Sequence, residues 1–387
     1  MVSDKVDDRK AGSDPDQEEG YWFSTRLEAS VRGRALSDPT EKAAFPKTGE
    51  TATPLADALS REEYMPDLPP PDALSIYEEA RRTLGAVFSS IRADEQVEPD
   101  ALERLAGQIV SNILEMPPGS YDIRSPQFSN VLVSCLYDSF GTPSDLVDHC
   151  LNVAVLGVML AQDRIAEEGK FVRLCLAAML HDVGMLFVPS ETWEHDRPLT
   201  AKELETVQHH AELGRERVSK LGGSLSELAD IVGQEHERAD GSGYPRGLKS
   251  PEIEELARII GLADVFEALT HGRPHRSART PHQAVRTILS EMREAFDEHL
   301  LRTFLNRITI YPLGSYVELT KGEVGRVVQV NEKSQMRPVL EVLRDTEGRA
   351  VDPPTIMELQ GLPLVSIVRC LDGPPEPHEG QVASNAS

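Results

Sequence analysis

The feature that most constrains this chain is a pair of ionisable residues at the end of an apolar run. The segment FVRLCLAAML, residues 171–180, has the composition of a buried helix and is followed at once by His181 and Asp182. Burying an unpaired carboxylate is costly, so a fold with this pair in its interior needs partners for both groups. A lone histidine on an apolar helix is more often a satisfied core residue than a ligand, so the pair indicates a site only if further inward groups converge on it.

The apolar pattern around this pair is helical over a long stretch and changes only near Tyr311. Apolar residues recur at helical spacing up to about residue 307, whereas short β-branched alternations separated by turns follow Pro312. We therefore predict a mainly α protein with a small C-terminal β unit. The expected segments are a disordered acidic leader (1–72), two N-terminal helices that pack on a bundle (73–127), the helical bundle itself (128–307), the β unit (308–371) and a disordered tail (372–387).

Charge and apolar run lengths exclude several classes of function. The formal net charge is −24, which argues against a general binder of nucleic-acid backbones. The N-terminus lacks the apolar core of a signal peptide, and the longest apolar run is about half the ~20 residues of a membrane helix, so we expect a soluble, cytoplasmic protein. The cysteines show no CxxC spacing and are interpreted as reduced and structural.

A second inward histidine is predicted from the helix that follows Thr200. Thr200 and Glu203 form a T-x-x-E capping box, which fixes the start of the helix and hence its register. On a helical wheel, His210 falls at the edge of the buried stripe, while His209 points nearly opposite. His210 is therefore the predicted inward residue, and His209 is expected to face solvent.

Further imidazoles and carboxylates are expected to face inward from other helices. Each has an ordinary alternative, such as a charged helix start or a simple turn. Together, converging groups of this kind require a cation, and manganese or iron accepts mixed nitrogen and oxygen ligands. A carboxylate such as Asp182 can bridge two ions, and a water between them loses its proton near neutral pH, which predicts a phosphohydrolase. The additional groups are His149 with Asp145 one turn before it, Glu235 and His236 before a glycine-rich loop, and Asp264 in IIGLADVFEAL.

These residues, in this order, resemble the HD-GYP domain, a branch of the HD phosphohydrolases. The resemblance covers roughly residues 128–307 and includes the block EHERADGSGYP. It implies a helical fold, two or three iron or manganese ions, and hydrolysis of the second messenger cyclic di-GMP to pGpG or GMP. The segment YPLGSYVELTKGEVGRVVQVN is similar to a β extension that often follows such domains. Loop residues Gly243, Tyr244 and Pro245 are implied to act in substrate access and in contacts with diguanylate cyclase partners.

The resemblance also implies a role for each matching residue. Asp182 is the implied bridging and catalytic residue, and Asp145 stands where members with a third metal carry a glutamate. Arg273 and Arg276 match positions that hold substrate phosphate, a role suited to guanidinium groups; the less favoured alternative is a pair of surface charges facing acidic neighbours. The implied metal ligands are His149, His181, Asp182, His210, His236 and Asp264.

Two departures from the family pattern leave alternatives open. Glu235 replaces a histidine, and a glutamate can still ligate a hard cation. Met185 replaces a lysine, which removes a charge that would meet a phosphate and is expected to weaken turnover by about one or two orders of magnitude. The chain is therefore interpreted as a cyclic di-GMP phosphodiesterase. The alternatives are a catalytically degenerate sensor or interaction module, and a phosphohydrolase for another nucleotide.

Overall fold

A computed structural model of the chain describes residues 71–114, 145–271, 278–331 and 334–375, except the single positions 194, 196, 198, 310, 335 and 372. The predicted leader up to residue 70 and the tail from residue 376 lie outside the described residues. Among the helices in the described ranges, none has both the length and the apolar composition that crossing a bilayer would require.

The predicted mainly α fold with a small β unit is confirmed. Short 3₁₀ turns follow some of the helices, notably Val183–Phe187 directly after α4. The described α-helices are α1 (Pro71–Arg92), α2 (Pro99–Leu114), α3 (Leu146–Ala161), α4 (Glu168–Leu180), α5 (Ala201–Gln208), α6 (His210–Ser219), α7 (Gly223–Ser226), α8 (Ala229–Val232), α9 (Glu255–Thr270), α10 (Pro281–Glu291) and α11 (Glu298–Ile308).

Helix α3 is the centre of the bundle. Its residues from His149 to Ala161 are all buried, because the sequence HCLNVAVLGVMLA is apolar on every face. Helices α4 and α9 pack along α3, and α2 packs on α4. Asp145 begins α3 as its N-cap by accepting a hydrogen bond from the Asp148 backbone. This arrangement brings the interior of α9 and the end of α4 to the same side of α3.

The helix predicted after Thr200 is in fact two helices. The capping box of Thr200 and Glu203 is present, as predicted. Helix α5 ends at Gln208, however, and α6 starts at His210 after a turn at His209. At this break the 3₁₀ turn comes very close, since a Cβ on Gly184 would lie 2.0 Å from the carbonyl oxygen of His210. Tertiary contact with that turn therefore interrupts a sequence pattern that is locally continuous.

The C-terminal sheet has five antiparallel strands in the order β4-β3-β2-β1-β5. The sequence predicted the three inner strands, but not the two outer ones. Strand β4 contains Pro353 and Pro354, which are poor strand residues and are tolerated here because β4 is an edge strand. The strands are β1 (Tyr316–Leu319), β2 (Val324–Gln329), β3 (Val339–Arg344), β4 (Ala350–Glu358) and β5 (Ile367–Leu371).

Candidate metal centre

Seven ionisable side chains predicted from the sequence meet in the interior of the bundle. They form two groups, and within each group one ligand atom from every member lies within 4.8 Å of the others. All seven residues are buried. We call the first the His149 group, which contains His149, His181 and Asp264, and the second the His210 group, which contains Asp182, His210, Glu235 and His236.

Asp182 lies between the two groups. Its Oδ1 is 3.1 Å from Nε2 of His210. Its Oδ2 is 3.6 Å from Nε2 of His149 and 3.7 Å from Nε2 of His181. Each oxygen of this carboxylate therefore faces a different group, which is the arrangement that a bridging ligand requires.

Three of the imidazoles are held by their Nδ1 atoms. Nδ1 of His181 is 2.7 Å from the carbonyl oxygen of Ala178, and Nδ1 of His210 is 2.6 Å from that of Val207. Nδ1 of His149 is 2.5 Å from Oε2 of Glu267. Because a carbonyl or carboxylate oxygen accepts, each ring donates from Nδ1 and turns an Nε2 lone pair inward. An oxygen that fixes the tautomer in this way is the usual support of a histidine ligand.

The donor set fits a cation. Nε2 of His210 lies 3.0 Å from Nε2 of His236 and 3.4 Å from Oε1 of Glu235, and the latter two atoms are 2.7 Å apart, so potential metal-ligand atoms converge. Nε2 of His181 is buried and makes no hydrogen bond. Burial lowers the pKa of His181, against the opposing effect of the Asp182 charge, and so favours the neutral imidazole that binds metals. Divalent ions would relieve the desolvation cost of the carboxylates here.

The backbone that carries Glu235 and His236 is fixed from two sides. Nη1 of Arg238 donates to the carbonyl oxygens of Glu235 and Glu237, at 2.9 and 3.0 Å. On the other side α9 approaches closely, because a Cβ on Gly261 would lie 2.4 Å from the carbonyl oxygen of Glu235. The side chains of the His210 group thus depend on contacts made by the backbone.

The loop with Gly243, Tyr244 and Pro245 covers the His210 group. The Tyr244 ring stacks on His236, with centroids 4.7 Å apart. A Cβ on Gly243 would lie 2.4 Å from both the Arg238 nitrogen and the His236 oxygen, so glycine is required at this position. The carboxylate of Glu237 is buried and accepts from the Arg246 and Leu248 backbone nitrogens, at 2.8 and 2.7 Å, which holds the loop in place.

Several residues predicted for the site lie elsewhere. Asp145 joins neither group: its carboxylate caps α3 and pairs with Arg81 at 2.6 Å, and its side chain is 53% exposed. Met185 packs in a small apolar cluster with Val188 and other residues. Arg273 and Arg276 lie outside the described residues. His210 is buried while the side chain of His209 is 58% exposed, as the helical wheel predicted.

Three residues that support the site were given no role from the sequence. Glu267 and Asn152 lie beside His149, and Glu237 holds the loop. The role of Glu267 could have been predicted, because it follows Asp264 by three residues in an apolar part of the helix and therefore lies on the same face. Asn152 likewise follows His149 by three residues. For Glu237 the sequence offers only the charge, because its partners are backbone atoms.

Comparison with known families agrees with this geometry. Residues 142–300 match the HD domain family, and residues 316–375 match a KOW domain associated with HD domains. Residues 142–300 are therefore similar to the HD domain family, which agrees with the resemblance seen in the motifs of this region. The β unit corresponds to the KOW match.

Curated relatives extend the similarity beyond the HD domain. A cyclic di-GMP phosphodiesterase of Pseudomonas aeruginosa is 27% identical over 76% of this chain and 70% of its own length. Another from Borreliella burgdorferi is 27% identical over 56% of each chain. A 3'3'-cGAMP-specific phosphodiesterase of Vibrio cholerae is 28% identical over 54% of this chain and 45% of its own. The chain thus spans about half the length of the latter two relatives.

Proposed function

We propose that this protein is a metal-dependent phosphodiesterase that hydrolyses cyclic di-GMP to pGpG or GMP. The observation that carries the proposal is the position of Asp182, whose two oxygens face two separate groups of buried ligands. A bridged pair of ions is a common device for displacement at phosphorus. The names of the relatives in Pseudomonas and Borreliella support cyclic di-GMP as the substrate.

The His149 group and the His210 group would each hold one ion, with Asp182 shared. Iron or manganese is the expected metal, because both accept imidazole and carboxylate ligands together. When bound, the two ions would lower the pKa of water to supply a hydroxide nucleophile and would neutralise charge on the phosphate. The third ion considered from the sequence has no support from Asp145, which is occupied at the start of α3.

The remaining roles belong to the protein itself. Nδ1 hydrogen bonds keep His149, His181 and His210 in the tautomer that presents Nε2. Tyr244 stacks on His236 and shields this side of the site from water, while Glu237 keeps the loop closed. We further propose that Arg273 and Arg276 meet the substrate phosphates and that the loop is the contact for diguanylate cyclase partners.

The first test is hydrolysis of cyclic di-GMP by protein reconstituted anaerobically with Fe(II) or Mn(II), with metal content measured and products separated by chromatography. We expect turnover that is lost in Asp182→Ala. Asp230→Ala is the matched control, because Asp230 is an exposed partner of Arg215. Equal rates in the wild type and in Asp182→Ala would refute the proposal.

A second candidate substrate is 3'3'-cGAMP, which the name of the Vibrio relative supports. The two cyclic dinucleotides share the phosphodiester ring and differ in one base, so the same centre could act on either. Their kcat/KM values, measured side by side, decide between them. A preference of more than tenfold for 3'3'-cGAMP would replace cyclic di-GMP in the proposal.

A degenerate sensor is the third reading, and it rests on Met185. This residue is 4% exposed in its apolar cluster, so its side chain brings no cation to a phosphate. Bound metal and bound cyclic di-GMP without turnover would support this reading, whereas turnover above that of Asp182→Ala would remove it.

A further inference from the structure

A chain of hydrogen bonds leads from the metal centre to helix α1, which precedes the matched HD domain. It begins at His149, whose Nε2 faces Asp182 and Asp264 while its Nδ1 is 2.5 Å from Oε2 of Glu267. Glu267 lies on α9 and is fully buried. Its other oxygen, Oε1, is 3.2 Å from Nδ2 of Asn152. Oδ1 of Asn152 is in turn 3.2 Å from the hydroxyl of Tyr77 on α1.

The direction of each bond in this chain follows from chemistry. A carboxylate only accepts, so Asn152 must present its amide nitrogen to Glu267. The amide oxygen then faces Tyr77, which must donate. His271 agrees with this orientation, because its Nε2 is 3.4 Å from the same amide nitrogen while its Nδ1 is 3.0 Å from the carbonyl oxygen of Glu267. The hydroxyl of Tyr77 thus fixes the amide. The amide and Nδ1 of His271, which is also 3.2 Å from Oε1 of Glu267, fix the carboxylate.

Helix α1 is attached to α3 at a second point, one turn further along. Arg81 donates to the carboxylates of Asp145 and Asp148, at 2.6 and 2.7 Å. These two residues begin the same helix that carries His149 and Asn152. The two attachments therefore bracket His149 along α3, one at the first turn and one at Asn152.

We propose that Tyr77 and Glu267 are positioning residues for the ion of the His149 group, so that α1 sets the affinity of one metal of the two. Glu267 fixes the ring of His149 and raises its basicity as a ligand, and Tyr77 fixes the amide that orients Glu267. Displacement of α1 would weaken the ion at His149 while leaving the ion at His210. This inference rests on the metal centre of the proposed function, but not on its substrate.

The test is titration of the chelator-stripped full chain with Co(II) under anaerobic conditions, followed by calorimetry and by visible absorption of the bound ion. Loss of a carboxylate partner behind a histidine ligand typically weakens metal affinity by about 10- to 100-fold, which is the effect expected for Glu267→Gln. Tyr77→Phe removes one neutral hydrogen bond and should weaken the same ion by about 2- to 10-fold. The other ion should change by less than about twofold in both variants.

Matched controls make the same chemical changes away from the centre. Tyr316→Phe removes a phenol hydroxyl from β1, and Glu341→Gln neutralises a buried carboxylate on β3 that pairs with Arg326. Neither should alter the affinity of either ion. To assign the ions, Tyr77→Phe is repeated in two backgrounds, His181→Ala and Glu235→Ala. It should weaken the remaining ion only in the second, where the His149 group is intact.

The outcomes separate the two proposals. Equal weakening of both ions, or no weakening by Glu267→Gln and Tyr77→Phe, overturns the positioning role. A lower melting temperature of the metal-free variants with unchanged Co(II) affinity also overturns it, because that is the mark of a merely structural contact. If Glu267→Gln does not fold, Tyr77→Phe decides. A wild type that binds two ions without hydrolysing cyclic di-GMP refutes the proposed activity but not the positioning role, and a wild type that binds none refutes both proposals.

Discussion

The His149 group and the His210 group hold similar donors in different ways. His149 and Asp264 lie within α3 and α9, where helix packing places them, and a hydrogen bond to Glu267 orients the His149 ring. His181, the third member, stands at the end of α4. Members of the His210 group stand at element ends or in turns, as His210 does at the start of α6. There the backbone is fixed by close approaches at Gly184, Gly243 and Gly261.

This difference indicates whether each group is more sensitive to side-chain or to backbone changes. A helix interior absorbs a small backbone shift but depends on the side chains that orient a ligand. A turn held by glycine contacts depends on the backbone, because any added atom must displace a neighbour. Side-chain substitutions should therefore disturb the His149 group, and glycine substitutions the His210 group.

Under the proposed function Asp182 serves both groups, so its loss should weaken both ions. We expect Asp182→Asn to lower the affinity of both ions and to reduce hydrolysis by about 10³-fold or more, since the two ions together supply several kcal/mol of transition-state stabilisation. Metal content and initial rate are the measurements, with Asp230→Asn as the control. Retention of both ions at wild-type affinity would show that Asp182 is not shared.

Removing the metal tests whether the two groups hold together without it. Asp182, Glu235 and Asp264 are buried carboxylates, and bound ions stabilise the folded state by about 3 kcal/mol per ion at 100 times the dissociation constant. Exhaustive chelation should therefore lower the melting temperature in calorimetry. The same treatment should leave that of Asp182→Asn nearly unchanged. An unaltered melting temperature in the wild type would mean that the ions contribute nothing to the fold.

Gly243→Ala should break the His210 group alone. Its Cβ would meet the Arg238 nitrogen and the His236 oxygen, and we expect a loss of about 1–3 kcal/mol in the free energy of unfolding with weaker binding of one ion. Gly107→Ala in α2 is the matched control, because a Cβ there meets nothing within 4 Å. The control should gain about 0.5–1 kcal/mol in denaturant unfolding. Equal losses in both variants would contradict the role assigned to Gly243.

Cysteine labelling tests for the smallest effect, a local opening of the His149 group after metal removal. Burial raises the pKa of Cys175 to about 12 and that of Cys150, next to His149, well above its ordinary value, so both thiols stay protonated at pH 8. Iodoacetamide followed by mass spectrometry should label the partly exposed Cys370 and spare both, even after chelation. Labelling of Cys150 in the metal-free protein would show that the His149 group opens without its ion.

Much of this centre was accessible from the sequence because helical periodicity fixes which face is buried. The choice of His210 over His209 follows from a period of 3.6 residues, the capping box at Thr200 from its T-x-x-E motif, and Asp264 from its place in an apolar helix. The features that the sequence did not predict depend on contacts between residues far apart in the chain. The break at His209 arises where Gly184 approaches, and Asp145 is drawn away by Arg81, which is 64 residues distant in sequence.

The sheet shows the same limit. Alternating apolar residues identified the inner strands, which have neighbours on both sides. Strand β4 breaks the usual composition with Pro353 and Pro354, which are tolerated because β4 is an edge strand and because both lie where its register with β3 shifts. Periodicity therefore predicted the inner strands, whereas β4 could be recognised only from its position in the folded sheet.

Pro353 and Pro354 also affect whether molecules can associate through the β4 edge at high protein concentration. An open edge strand can pair with another copy of the same edge and seed association of whole molecules. Backbone nitrogens of successive strand residues point to opposite sides, so one of Pro353 and Pro354 removes a donor from the open edge. The nine-residue strand β4, the longest described in the sheet, is thereby a poor template for growth. The two prolines that make β4 hard to recognise in the sequence thus also disfavour association of molecules through this edge of the sheet.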